Sequence, residues 1–161
     1  MSVKKIFLIA AMAAAVCACE KESNVSVYVP DAGEIQLDML HPDQKTRVTD
    51  AGFDVDDEIG VYVTASDAEL QLAGNQVNNE PFTYNGTSWT SARKVYWNKG
   101  SHNVYAYYPY SKSVNDVVDY SFRVQTDQST AEAYSQSDFL WAGAMNVAAS
   151  ATPVPMHFEH K

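Results

Sequence analysis

The chain is 161 residues long, 46% hydrophobic and 19% charged, with a net charge of −9 at pH 7. This length holds a single packed core, and an acidic balance without any cluster of Lys or Arg excludes a phosphate-gripping nucleic-acid surface. Both cysteines, Cys17 and Cys19, lie before residue 20, which excludes disulfides, a thiolate zinc site and a cysteine nucleophile from the body of the protein.

In chain order, the first segment is an export address. Lys4 and Lys5 supply a basic start, residues 6–16 are mostly apolar, and small residues lead to Cys19. The apolar run is shorter than the about 20 residues that cross a bilayer. Val16-Cys17-Ala18-Cys19 reads as an aliphatic residue, a free choice, a small residue and an acylated cysteine, the order of a bacterial lipoprotein signal. Cys17 fits that pattern worse, because bulky Val16 precedes it. Residues 1–18 are therefore expected to be removed and Cys19 lipidated; an ordinary secretory signal cut nearby is the alternative. Residues 19–24 are charged and polar, as in a short solvated tether.

Residues 25–29 and 34–40 alternate with period two, placing Ile35, Leu37 and Met39 on one face and Gln36 and Asp38 on the other. Pro30, Asp31 and Gly33 form the turn between them, and His41-Pro42-Asp43 ends the second. A loop through Lys45, Thr46 and Arg47 follows. Residues 59–64 form the clearest strand, with Ile59, Val61 and Val63 inward and Tyr62 opposite. Residues 82–84 and 87–89 flank Asn85-Gly86, which predicts a hairpin with a type I′ turn. Residues 94–97, a turn at Asn98-Lys99-Gly100 and residues 103–108 predict a second hairpin. Residues 120–124 and 139–142 are further strand candidates, and 129–135 predicts a helical turn or two opened by Ser129 and Glu132. Residues 155–161 look like a strand that begins and stops, which suggests a truncated product with unpaired backbone groups. Short strands spaced by Gly, Pro, Asn and Asp predict an all-β, antiparallel β-sandwich.

Chemistry-bearing patterns are sparse. Asp54, Asp56, Asp57 and Glu58 invite a calcium reading, but Gly60 stands one place too late for an EF-hand loop, so a solvated acidic turn is expected. His157 and His160 lie three apart on a strand and point to opposite faces. His41 and His102 fall in predicted turns, and no Gly-x-Ser-x-Gly elbow is present. Asn85-Gly86-Thr87 matches a glycosylation sequon, but the turn explains it. These observations predict a non-enzyme with no cofactor and no metal. The aromatic row of Trp89, Tyr96, Trp97, Tyr105, Tyr107, Tyr108 and Tyr110 is expected to fill the core for the most part. If part of it faces outward, stacked rings on a lipid-anchored protein would bind surface glycans.

Thr46-Arg47-Val48-Thr49 before Phe53, with Asp56-Asp57-Glu58-Ile59-Gly60-Val61-Tyr62-Val63, resembles the N-terminal region of the fimbrillin family of lipoprotein-derived type V pilins and their Mfa-like relatives. Val104-Tyr105-Ala106-Tyr107-Tyr108-Pro109, Ser137-Asp138-Phe139-Leu140-Trp141-Ala142 and Phe158-Glu159-His160-Lys161 are similar to later motifs of that family in the same order. The resemblance implies a transthyretin-like Greek-key sandwich over residues 25–161, corresponding to the first of two domains, with the second expected to be absent. It also implies an outer-membrane, surface-exposed lipoprotein that serves as a shaft, tip or anchor subunit of a fimbrium and supports adhesion to host or bacterial surface glycans or proteins. A trypsin-like protease would cut after Arg47, or at the neighbouring Lys45. Removal of Ile35, Leu37 and Met39 would then open a groove for a strand of the next subunit.

Overall fold

The computed structural model describes residues 33–42, 52–117, 120–130, 133–134 and 136–161. Eight strands occupy them: β1 (Leu37–Leu40), β2 (Glu58–Ala65), β3 (Val77–Tyr84), β4 (Trp89–Thr90), β5 (Ser101–Tyr108), β6 (Leu140–Ala148), β7 (Val154–His157) and β8 (Glu159–His160). Six form one antiparallel sheet in the order β4-β3-β2-β5-β6-β8, and β1 pairs with β7 in a second. Strands β2, β3 and β4 are a meander, and β5 returns to lie beside β2. That spatial order is a Greek key. The expected all-β sandwich is therefore present, with one exception to antiparallel pairing: β1 and β7 run parallel, Leu37 opposite Val154 and Met39 opposite Met156.

Period-two alternation fills the space between the sheets. Ile59, Val61 and Val63 of β2 meet Phe82, Val104, Ala106, Leu140 and Ala142 from the large sheet, and Leu37, Met39, Val154 and Met156 from the small one. All are buried. The opposite face of β2 is covered too. Tyr62 is fully buried in a second cluster with Tyr107 and Val117, against which Val114, Phe139 and Trp141 pack. The connection between β5 and β6 lies over this face, so the large sheet has apolar cover on both sides.

That cover explains why residues 120–124 form no strand. Tyr120 packs on Tyr107 and Phe139 with ring centroids 5.9 and 5.5 Å away, and Phe122 lies 5.1 Å from Phe139. Ring packing on the sheet, rather than a ladder, holds the segment. Beyond it, the predicted helical turn is present around Ala133 and Tyr134. Its cap is Thr130, whose Oγ1 accepts from the Ala133 N–H at 3.1 Å, not Ser129.

Two hairpin expectations need correction. Between β3 and β4 the loop has four residues, because Tyr84 pairs with Trp89. The Asn85 side chain accepts from the backbone N–H groups of Thr87 and Ser88 at 3.0 and 2.9 Å. Only Gly86, at φ +91°, takes the left-handed conformation, so the carboxamide substitutes for a tight type I′ turn. The second predicted hairpin does not form. Strand β5 is flanked by β2 and β6, which leaves residues 94–97 to cross the sandwich and meet Glu34, opposite Tyr96.

The C-terminal segment is paired rather than open. Strand β7 lies against β1, buried Phe158 turns the chain inward, and β8 joins β6 with His160 opposite Leu140.

Candidate functional site

The site centres on β1. Ile35, Leu37 and Met39 are 2%, 6% and 8% exposed, while Gln36, Asp38 and Leu40 face solvent. Each buried side chain contributes about 1.5–3 kcal/mol of transfer free energy, offset in part by the entropy of ordering the segment. The backbone of residues 35–40 is held at its start by residue 95 and along its length by β7 and Phe158. The Ile35 N–H donates to the Val95 carbonyl at 2.9 Å, the Val154 N–H donates to the Gln36 carbonyl at 2.9 Å, and the Phe158 N–H donates to the Leu40 carbonyl at 3.0 Å. Thus the segment is bridged antiparallel to residues 95–97 at Glu34, ahead of β1, and β1 itself pairs in parallel with β7.

An ion pair marks its N-terminal end, where Lys94 Nζ donates to Glu34 Oε2 at 2.9 Å. The Lys94 side chain is 66% exposed, so the pair orders the edge more than it stabilises it. Glu34 nonetheless raises the ammonium pKa above its ordinary value. At the other end, the Phe53 ring packs edge to face on His41, Trp89, Phe158 and Tyr108, with centroids 5.0, 5.0, 5.5 and 5.6 Å away. Phe53 closes the core where the chain re-enters it.

The acidic run behind Phe53 is a turn built on Asp57. Its Oδ2 accepts from the Asp54 N–H at 2.7 Å and its Oδ1 from the Tyr108 hydroxyl at 3.1 Å. Burial raises the Asp57 pKa despite these bonds. Asp56 adopts φ +74°, a left-handed conformation that Asp tolerates. The carboxylates shape the entry to β2.

Cys19 and Arg47 lie outside the described residues, as do Lys45, the leader, the tether and the strand expected over 25–29. The structure does bring Ile35, Leu37 and Met39 together on one buried face. His160 meets Asp138, 2.6 Å from Nδ1, and stands apart from exposed His157. His102 is not in a turn. It is 2% exposed in β5, packed on Trp97 with centroids 5.1 Å apart, and burial lowers its pKa. Sequence reasoning missed the walls of the β1 slot, Val95 and Trp97 on one side and Val154 and Met156 on the other. The alternation of Val154 and Met156 with outward residues was the available signal.

A family model for fimbrillin-like proteins matches residues 46–161. This chain belongs to the fimbrillin-like family. A curated Bacteroides ovatus relative, provisionally named the fimbrium tip subunit Fim1C, is 30% identical to this fimbrillin-like chain over 138 residues. The match covers 76% of the chain but 24% of that relative. The crystal structure of a fimbrial protein from B. ovatus superposes with a TM-score of 0.60 at 25% identity, over 80% of this chain and 28% of that one. A provisionally named cell-adhesion protein of Bacteroides uniformis shares the fold, with a TM-score of 0.58 at 23% identity over 83% and 49% of the two chains. The fimbrillin-like chain thus spans from about a quarter to about half the length of these relatives.

Proposed function

We propose that this fimbrillin-like protein is the precursor of a fimbrial subunit that assembles at the cell surface by exchange of its β1 strand. The leader is removed, Cys19 is acylated, and the protein is carried to the outer membrane as a non-catalytic, lipid-anchored subunit. A trypsin-like protease then cuts after Arg47, so that the residues before it are no longer covalently joined to the domain. β1 leaves, and a strand from a neighbouring subunit takes its place by β-addition, with main-chain hydrogen bonds supplying affinity and the alternating pockets supplying register.

The observation that carries this reading is the position of β1. With Ile35 just ahead of it, β1 lies along β7 and buries three apolar side chains in the core, residues 33–35 are bonded to residues 95–97, and the whole segment precedes Arg47 in the chain. A vacated slot would expose apolar surface, the paired edge of β7 and the Val95 carbonyl, which is unfavourable until a strand refills it. The name of the B. ovatus relative favours a tip position over shaft or anchor. Mass spectrometry of both termini, on protein extracted from the native envelope, tests the proposal. A Val48 start in heat-resistant multimers supports strand exchange, and an acylated Cys19 start in every multimer overturns it.

A further inference from the structure

A cleft of about 830 Å³ opens at one end of the sandwich, between the β2–β3 connection and residues 93–102. Its wall includes the side of the aromatic row that the core leaves out. Alternation sends Val95 and Trp97 inward, 5% and 0% exposed, and turns Tyr96 outward with 40% of its surface exposed. Gln76 Nε2 donates to the Tyr96 carbonyl at 2.7 Å and ties the two walls together.

The opposite wall is preorganised. Asn75 Oδ1 accepts from the Gln71 N–H at 3.1 Å, and its Nδ2 donates to the Gln71 carbonyl at 2.6 Å and to Asn78 Oδ1 at 2.9 Å. With Asn75 spent on the loop, the side chains of Glu69, Gln71, Asn98 and Lys99 line the cleft without a hydrogen-bond partner among the described residues. Its two other cations are already paired, Arg93 with Glu80 and Lys94 with Glu34. On the floor, His102 is 2% exposed and its Nδ1 is buried without a partner, an unusual state for a polar atom inside a protein.

This chemistry selects a ligand class. An apolar ligand would strand the amides and charges. A polyanion would meet a chain of net charge −9 with a single unpaired cation in the cleft, offset by Glu69. Sugar hydroxyls donate and accept at once, as amides, carboxylates and ammonium groups require, and the C–H face of a pyranose packs on a phenol ring. We propose that this cleft binds a neutral oligosaccharide, with Tyr96 as the stacking surface and Glu69, Gln71, Asn98 and Lys99 as hydroxyl partners. The site does not depend on β1 leaving.

The test is NMR titration of the purified, uncleaved chain with maltotriose, cellotriose and mannotriose, with trigalacturonate as the charged control. At least one neutral trisaccharide is expected to shift the backbone amides of residues 69–76 and 94–99. Tyr96→Phe retains that binding and Tyr96→Ala weakens it by about tenfold or more, with a circular dichroism spectrum confirming that the variant is folded. Silence from all three neutral sugars, shifts that persist in Tyr96→Ala, or binding of trigalacturonate alone each overturns the proposal. Because the chain stays uncleaved, none of these outcomes bears on strand exchange.

Discussion

The rings of His41 and Phe53 stand edge to face with centroids 5.0 Å apart, although residues 42–52 separate them in the chain. The segment that contains Arg47 therefore leaves and re-enters the domain at one place. A cut within it would part β1 from the body while Phe53 stays packed on Trp89, Tyr108 and Phe158.

Replacing Arg47 with Ala is expected to leave folding intact and to abolish conversion to multimers. Because Lys45 offers a second tryptic bond, Lys45→Ala/Arg47→Ala is the stricter variant. Heat-resistant ladders on denaturing gels, read beside a circular dichroism spectrum, decide the matter. Normal ladders from the double variant would sink the processing scheme.

The slot makes a separate claim on stability. Leu37→Ala removes buried methyl groups between the sheets and should destabilise the uncleaved protein by about 2–5 kcal/mol. Asp38→Ala, one residue on and facing solvent, should change it by less than about 0.5 kcal/mol. Urea unfolding measures both, and equal midpoints would mean that β1 is not bound as the structure has it.

Gly60 lies under the Tyr107 ring, and a Cβ there would collide with both that ring and Asn79 Oδ1. Tyr107 cannot yield cheaply, because its hydroxyl is held by Asn79 at 2.8 Å and by the Ser111 carbonyl at 2.9 Å. Gly60→Ala should therefore cost about 1–3 kcal/mol, read as a lower thermal midpoint. Tyr107→Leu in the same chain should recover part of that loss, a coupling that a double-mutant cycle reports.

His102 sets a pH dependence. Burial lowers its pKa below the ordinary 6.5, so in the acid window beneath 6.5 the unfolded chain binds a proton that the folded chain refuses. Its contribution to stability is complete above pH 6.5 and is lost as pH falls through that window, by at most about 1.4 kcal/mol per pH unit. His102→Phe keeps a ring against Trp97 and removes the titration. Denaturation midpoints from pH 7 to pH 5 should fall less steeply in that variant, and parallel curves would refute the assignment.

Some of this was legible before the fold. The alternation at Ile35, Leu37 and Met39, and at Ile59, Val61 and Val63, named one buried face of β1 and β2, because a strand's side chains alternate whatever it pairs with. The Asn85-Gly86 signal placed a turn correctly and mistook its type, since the Asn85 side chain takes the Thr87 and Ser88 N–H groups while one backbone bond, from the Asn85 N–H to the Ser88 carbonyl, spans the loop. Residues 94–97 were read as half of a hairpin with their sequence neighbours. Pairing instead follows which strand edges are open, and both edges of β5 were taken.

The sequence by itself determined the family, the all-β class and the inward faces of β1 and β2, because motif order and period-two patterning are local properties of the chain. Only the tertiary structure decided that β1 runs parallel to β7, that the β5–β6 connection covers the back of the large sheet, and that Tyr96 is turned outward at a cleft while Val95 and Trp97 are buried. Those outcomes rest on contacts between residues distant in sequence, where competition for the same edge and the same buried volume, rather than local preference, selects the partner.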